Sequence, residues 1–136
     1  MPKLPKTSKG TIIADENANR FFVTIAREEG WNVTSISPNN KGIKLSDPQV
    51  AIKYSKGTHP IFTADTTAYK LTEEQRGKSG YIVHRNPSKE KLEEYKLQVK
   101  EFFRSITEKH THNVIWIIEL QGKPTSRKLP TESRKN

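Results

Sequence analysis

The chain has 136 residues, a formal net charge of +9, 32% hydrophobic residues and no cysteine. That length suits one domain with its own core, and the missing cysteines exclude disulfides, a thiol nucleophile and thiolate metal sites. No apolar run is long enough to span a membrane, and the opening MPKLPKTSKG lacks the apolar stretch of a secretory signal, so a soluble, cytoplasmic protein is expected.

The charge is uneven. Residues 1–10 hold Lys3, Lys6 and Lys9, and residues 123–136 hold five bases against Glu132 alone. Both ends, 1–10 and 122–136, are rich in Pro, Ser, Thr and Lys without periodicity. They read as flexible basic tails around a domain spanning 11–121. Basic tails attract polyanions regardless of sequence, and they serve equally as solubilising ends.

Within the domain, strands and helices alternate. TIIAD (11–15) reads as a first strand ending in an acid. From Asn17 to Glu29 the residues Phe21, Phe22, Ile25 and Ala26 fall at helical spacing, with both phenylalanines directed to the core and Gly30 as the cap. WNVTSI (31–36) alternates as a second strand, and PNNKG (38–42) is a loop. Ser46-Asp47-Pro48 opens a helix that continues through Val50, Ala51 and Tyr54 to Gly57. PIFTAD (60–65) is a third strand, again ending in an acid, and a short helical piece follows at 66–76. GYIVHR (80–85) is a fourth strand. Residues 88–109 form a long amphipathic helix with Leu92, Tyr95, Val99, Phe102, Phe103 and Ile106 on one face. VIWIIEL (114–120) is a fifth strand with a continuous apolar run.

This alternation predicts an α/β protein: a three-layer α/β/α arrangement around a mostly parallel sheet of about five strands. Continuous apolar strands agree, because parallel strands are covered on both faces. Ligands of such sheets bind beyond the carboxyl ends of the strands, where strand order reverses.

Three acids fall at places that matter for that rule. Asp15 ends the first strand, Asp65 ends the third, and Asp47 begins the helix leading to the third. Strands one and three are expected side by side, which brings Asp15 and Asp65 to one edge with Asp47 approaching from the helix. Clustered carboxylates raise one another's pKa unless a cation lies between them. A hard divalent ion such as Mg²⁺ resolves the repulsion through oxygen ligands, lowers the pKa of a bound water and neutralises charge on a scissile phosphate. Asp47 reads equally as a first-turn residue favoured by the helix dipole. Glu16 suits a solvated first turn, and Asn17 a cap or a hydrogen-bond partner of Asp15.

The order IIADEN (12–17), LSDPQV (45–50) and IFTAD (61–65), followed by the GYIVHR strand and a long helix, resembles the short, stand-alone PIN-like domains over roughly residues 11–120. The resemblance implies a metal-dependent ribonuclease, often the toxin of a toxin–antitoxin pair, that cuts RNA with Mg²⁺ or Mn²⁺. Position by position, Asp15, Asp47 and Asp65 match the metal-binding acids, Glu16 and Asn17 the rest of the DEN motif, and Thr63 the Thr of the T-x-D motif. An antitoxin protein and a homodimer are the partners so implied. Thr67 departs from the family, standing where a second acid often sits, which places a second metal in question.

For the substrate, Arg85 ends the fourth strand on the edge that carries the acids, and Arg20 lies one helical turn past the DEN motif; either could hold a phosphate. His84 alternates to the other side of its strand and reads as structural or surface. His59, His110 and His112 show no ligand spacing. Phe102, Phe103 and Trp116 are expected in the core. Two further readings remain. One is a phosphoacceptor receiver domain, with Asp15-Glu16 as its acid pair, Asp65 as the phosphorylated residue and Lys123-Pro124 after the fifth strand. The other is a non-catalytic PIN-like interaction protein.

Overall fold

The apolar run at 11–14 becomes an inner strand, because both of its faces find partners. The computed structural model describes residues 9–14, 18–35, 57–64 and 77–129. In chain order these form β1 (Gly10–Ala14), α1 (Arg20–Glu28), β2 (Trp31–Ser35), β3 (Ile61–Thr63) and β4 (Tyr81–His84). A 3₁₀ turn (Lys89–Lys91), α2 (Leu92–Ser105), a second 3₁₀ turn (Glu108–Thr111), β5 (Val114–Ile118) and β6 (Thr125–Lys128) follow.

The strands make one sheet in the order β2-β1-β3-β4-β5-β6. The first five run parallel, and β6 runs antiparallel to β5. The α/β class is therefore as expected, while the sheet is mixed and, among the described residues, has six strands rather than about five. The additional strand lies in the stretch read as a flexible tail. All four residues of β6 are exposed, so no apolar pattern marks it; an edge strand needs only backbone pairing with its neighbour. The pairing is secured just past its end, where Leu129 is 7% exposed and joins Ile13, Ile61, Tyr81, Val83 and Ile115 in an apolar cluster. The Leu129 N–H donates to the Asn113 carbonyl at 2.8 Å.

Alternate side chains divide between the two faces of the sheet. On one face Ile12, Ala14, Phe62, Ile82 and Ile118 meet Phe22, Val23 and Ala26 of α1 and Tyr95, Val99, Phe102 and Phe103 of α2. The other face carries the Leu129 cluster. Every residue of β4 is buried, which explains its continuous apolar character. Among the described residues both α-helices pack on the first face. The helices expected from Ser46 to Gly57 and over 66–76, and the loop at 38–42, lie largely or wholly outside the described residues.

Helix α1 begins at Arg20 rather than at Asn17. Asn19 is its N-cap, and its side-chain oxygen accepts the Phe21 N–H at 2.7 Å; this satisfies one of the orphan donors of the first turn. Phe22 packs inward with Val23 and Ala26 and Phe21 is left 52% exposed, with the Lys96 ammonium 4.6 Å above its ring. Phe21 is thus a cation–π surface residue, not a core anchor. The long helix expected over 88–109 is α2 flanked by two 3₁₀ turns. It stops because Ile106 turns extended and Thr107 starts a new capping box with His110.

Three contacts tie the amino edge of the sheet to α2 and its following turn. Trp31 Nε1 donates to the Phe103 carbonyl at 3.0 Å. Glu108 accepts the Thr11 N–H at 2.9 Å and pairs with His59 Nδ1 at 3.0 Å. Gly80 is required for close approach: a Cβ there would lie 2.0 Å from the Thr111 carbonyl oxygen and 2.2 Å from that of Val114. Among the described residues no helix is long and apolar enough to cross a membrane.

Candidate functional site

The carboxyl edge of the sheet is where its topology reverses. From β1 the chain moves outward to β2, then crosses back to place β3 on the opposite side of β1. β1 and β3 are parallel neighbours, with Ile13 opposite Ile61 and Ala14 opposite Phe62. Both strands therefore end at this edge, β1 at Ala14 and β3 one residue further at Thr63, beside the switch point at which doubly wound sheets bind ligands.

Several expected site residues, Asp15, Glu16, Asn17, Asp47 and Asp65, lie outside the described residues. So does Thr67. Of the others, Thr63 is the last residue of β3 and is fully buried; burial suits a side chain that orients a neighbour better than one that meets a dissolved phosphate. Arg20 is the exposed first residue of α1. Arg85 follows β4 on the carboxyl edge, as expected, but it is engaged. Its Nε and Nη2 donate to Glu119 Oε1 at 3.3 and 3.0 Å, and the pair is partly exposed. Among the described residues no three His, Asp or Glu side chains group as a metal site.

A hydrogen-bonded lattice joins the ends of β4 and β5 to the starts of α1 and β6. The Asn19 N–H donates to His84 Nε2 at 3.0 Å. His84 Nδ1 lies 2.7 Å from the Arg85 carbonyl. With Nε2 accepting, Nδ1 carries the proton, so the ring is a neutral imidazole in one tautomer. It is 1% exposed and meets Phe22 and Phe62 edge-on at centroid distances of 4.8 and 5.2 Å. Burial lowers its pKa below the ordinary 6.5, only partly countered by the bond to Arg85. His84 is thus structural, and it lies on the α1 face of the sheet.

The Arg85 N–H donates to the Tyr95 hydroxyl at 2.8 Å, and that hydroxyl donates to the Ile118 carbonyl. Burial pushes the Tyr95 phenol up to about 12, so it stays a donor. Glu119 accepts from Arg85 and, at 2.9 Å, from the Thr125 hydroxyl. Burial opposes ionisation of Glu119, but the Thr125 and Arg85 hydrogen bonds with the guanidinium charge outweigh it and hold the carboxyl below its ordinary range.

No family model, curated protein or solved structure matches the chain.

Glu119, Tyr95 and His84 were not singled out from the sequence for the site. Glu119 was legible: it directly follows β5, and the rule that selected Asp15 and Asp65, an acid ending a strand, selects it too. Tyr95 was not, because its position on the apolar stripe of α2 explains it fully as core. Beyond Arg85 and Glu119 the edge opens into a cleft of about 930 Å³ that also receives Lys91 and Lys123. Lys123 sits in the β5–β6 connection, five residues past the end of β5.

Proposed function

We propose that the chain is a metal-dependent ribonuclease of the PIN-like type, with Asp15, Asp47 and Asp65 as the carboxylates that hold Mg²⁺ or Mn²⁺. One observation carries this reading: β1 and β3 are parallel neighbours across the switch point, and both end at the carboxyl edge, β3 one residue beyond the Ala14–Phe62 pair. The residue after β1 is Asp15, and Asp65 lies two residues past β3. An oxygen-only donor set of this kind fits a hard divalent cation. When bound, that ion supplies an activated water and neutralises the charge of the phosphodiester. The chain's own contribution is to hold the carboxylates ionised, with Thr63 as an orienting neighbour and Arg85 as a cation on the same edge.

Labelled RNA incubated with the purified protein tests this. Cleavage is expected with Mg²⁺ or Mn²⁺, none with EDTA, and background rates for Asp15→Asn. Equal cleavage by parent and Asp15→Asn, or none under any metal, removes the proposal; the second result favours the non-catalytic interaction protein. A toxin role with an antitoxin partner predicts growth arrest on expression, relieved by Asp65→Asn.

A second reading draws on the strand order. The first five strands run 2-1-3-4-5, a doubly wound order shared by phosphoacceptor receiver domains. Against it, Lys123 stands five residues past the end of β5, with Glu119 directly after the strand, and order alone does not carry function. Labelling by acetyl phosphate that disappears in Asp65→Asn would favour the receiver.

A further inference from the structure

The cleft beyond β4 and β5 brings together three bases from three separate stretches of chain: Arg85 after β4, Lys91 before α2, and Lys123 between β5 and β6. Its acids do not cancel them. Glu119 is committed to Arg85 and Thr125, which leaves Glu94 as the other acid of the lining beside Lys91 and Lys123. Lys91 and Lys123 are exposed and form no ion pair among the described residues. The helix start beside them adds to the field. The Lys91 N–H donates to the Ser88 carbonyl and the Leu92 N–H to that of Lys89, so the helix contributes through its dipole rather than through free amides.

We propose that this cleft seats the phosphodiester backbone of single-stranded RNA, with Lys91 and Lys123 contacting phosphates and Arg85, fixed by Glu119, oriented beside them. The proposal rests on the ribonuclease reading for the identity of the polyanion. The cleft lies on the same carboxyl edge as the β1–β3 switch point, two strand spacings away, or roughly 10 Å. A strand lying across that edge would meet both places. No aromatic side chain lines the cleft among the described residues, so it lacks the stacking platform that reads bases. Its contacts are those that position a backbone without selecting sequence.

Fluorescence anisotropy of a labelled single-stranded RNA oligonucleotide, in EDTA so that it is not cut, tests the cleft. Lys91→Ala and Lys123→Ala are each expected to weaken binding severalfold, and the double variant more. The slope of log affinity against log salt should shrink by about 0.7 for each lost contact. Lys109→Ala, an exposed lysine of the second 3₁₀ turn on the amino side of the sheet, should bind as the parent does. All three lysines are exposed, so thermal melts of the variants should match the parent and exclude misfolding. Parent-like affinity and salt slope in the double variant overturn the proposal, as does equal displacement of the RNA by polyglutamate, which would mark an acidic protein as the occupant. Metal-dependent cleavage is read separately. Cleavage with binding indifferent to Lys91 and Lys123 removes the cleft and keeps the nuclease. Binding through the two lysines without any cleavage supports the cleft and removes the nuclease.

Discussion

His84 shows how one buried side chain makes stability depend on pH. The folded ring is held neutral by burial and by the N–H that Asn19 donates to Nε2. Its folded pKa lies below the ordinary 6.5, so the unfolded chain binds the proton first as the solution is acidified. The resulting stability is fully present above 6.5 and is lost as pH falls from there through the folded value. A protonated Nε2 could not accept the Asn19 N–H, and the start of α1 would lose that tie. Urea denaturation of the parent should therefore show a falling midpoint as pH drops below 6.5. His84→Gln, whose amide cannot titrate, should lack this component, and an unchanged slope in the variant would refute the assignment. Arg85 teaches a different lesson at the same scale. Its strand-end position was readable, but its ion pair with Glu119 depends on β5 lying beside β4.

At the scale of elements, α2 separates buried from exposed faces sharply. Phe103 is fully buried, contacts the rings of Trp31, Phe62 and Phe102 edge-on, and accepts the Trp31 indole N–H on its carbonyl. Removing its ring leaves a cavity among side chains from three other positions, so Phe103→Ala should cost about 3–5 kcal/mol. Leu97 on the same helix is 67% exposed, and Leu97→Ala should stay within about 0.5 kcal/mol of the parent. Denaturant unfolding of the two variants checks both. The stripe Tyr95, Val99, Phe102, Phe103 was legible from spacing alone, because a helix this strongly one-sided has a single way to bury its apolar face. Phe21 and Phe22 were not resolved by spacing, since adjacent residues both read as apolar. Packing of Phe22, Val23 and Ala26 together against the sheet decides which of them faces inward.

For the whole molecule, protection should follow the sheet order. β3 is flanked by β1 and β4, while β6 has one partner and four exposed residues. Amide hydrogen exchange should be slowest in β1, β3 and β4 and much faster in β6, because edge strands open by local fraying whereas inner strands need wider unfolding. Exchange in β6 as slow as in β3 would show that its free edge is covered in solution. The alternation of strand and helix identified the α/β class from sequence, and all five of the expected strands within the described residues are present. β6 escaped, because a fully exposed edge strand has no hydrophobic signal to read.

The sequence by itself determined the class of fold, the inner strands and the apolar face of α2, since these depend on local periodicity and on the need to bury apolar surface. It also offered Asp15 and Asp65 as acids expected at strand ends, while Glu119, directly after β5, went unselected. Tertiary structure decided which strands are neighbours, and so brought β1 beside β3 and β4 beside β5. That adjacency pairs Arg85 with Glu119, locks His84 to Asn19 and gathers Lys91 and Lys123 at one cleft. These residues are far apart in the chain, and only backbone pairing between strands distant in sequence brings them together.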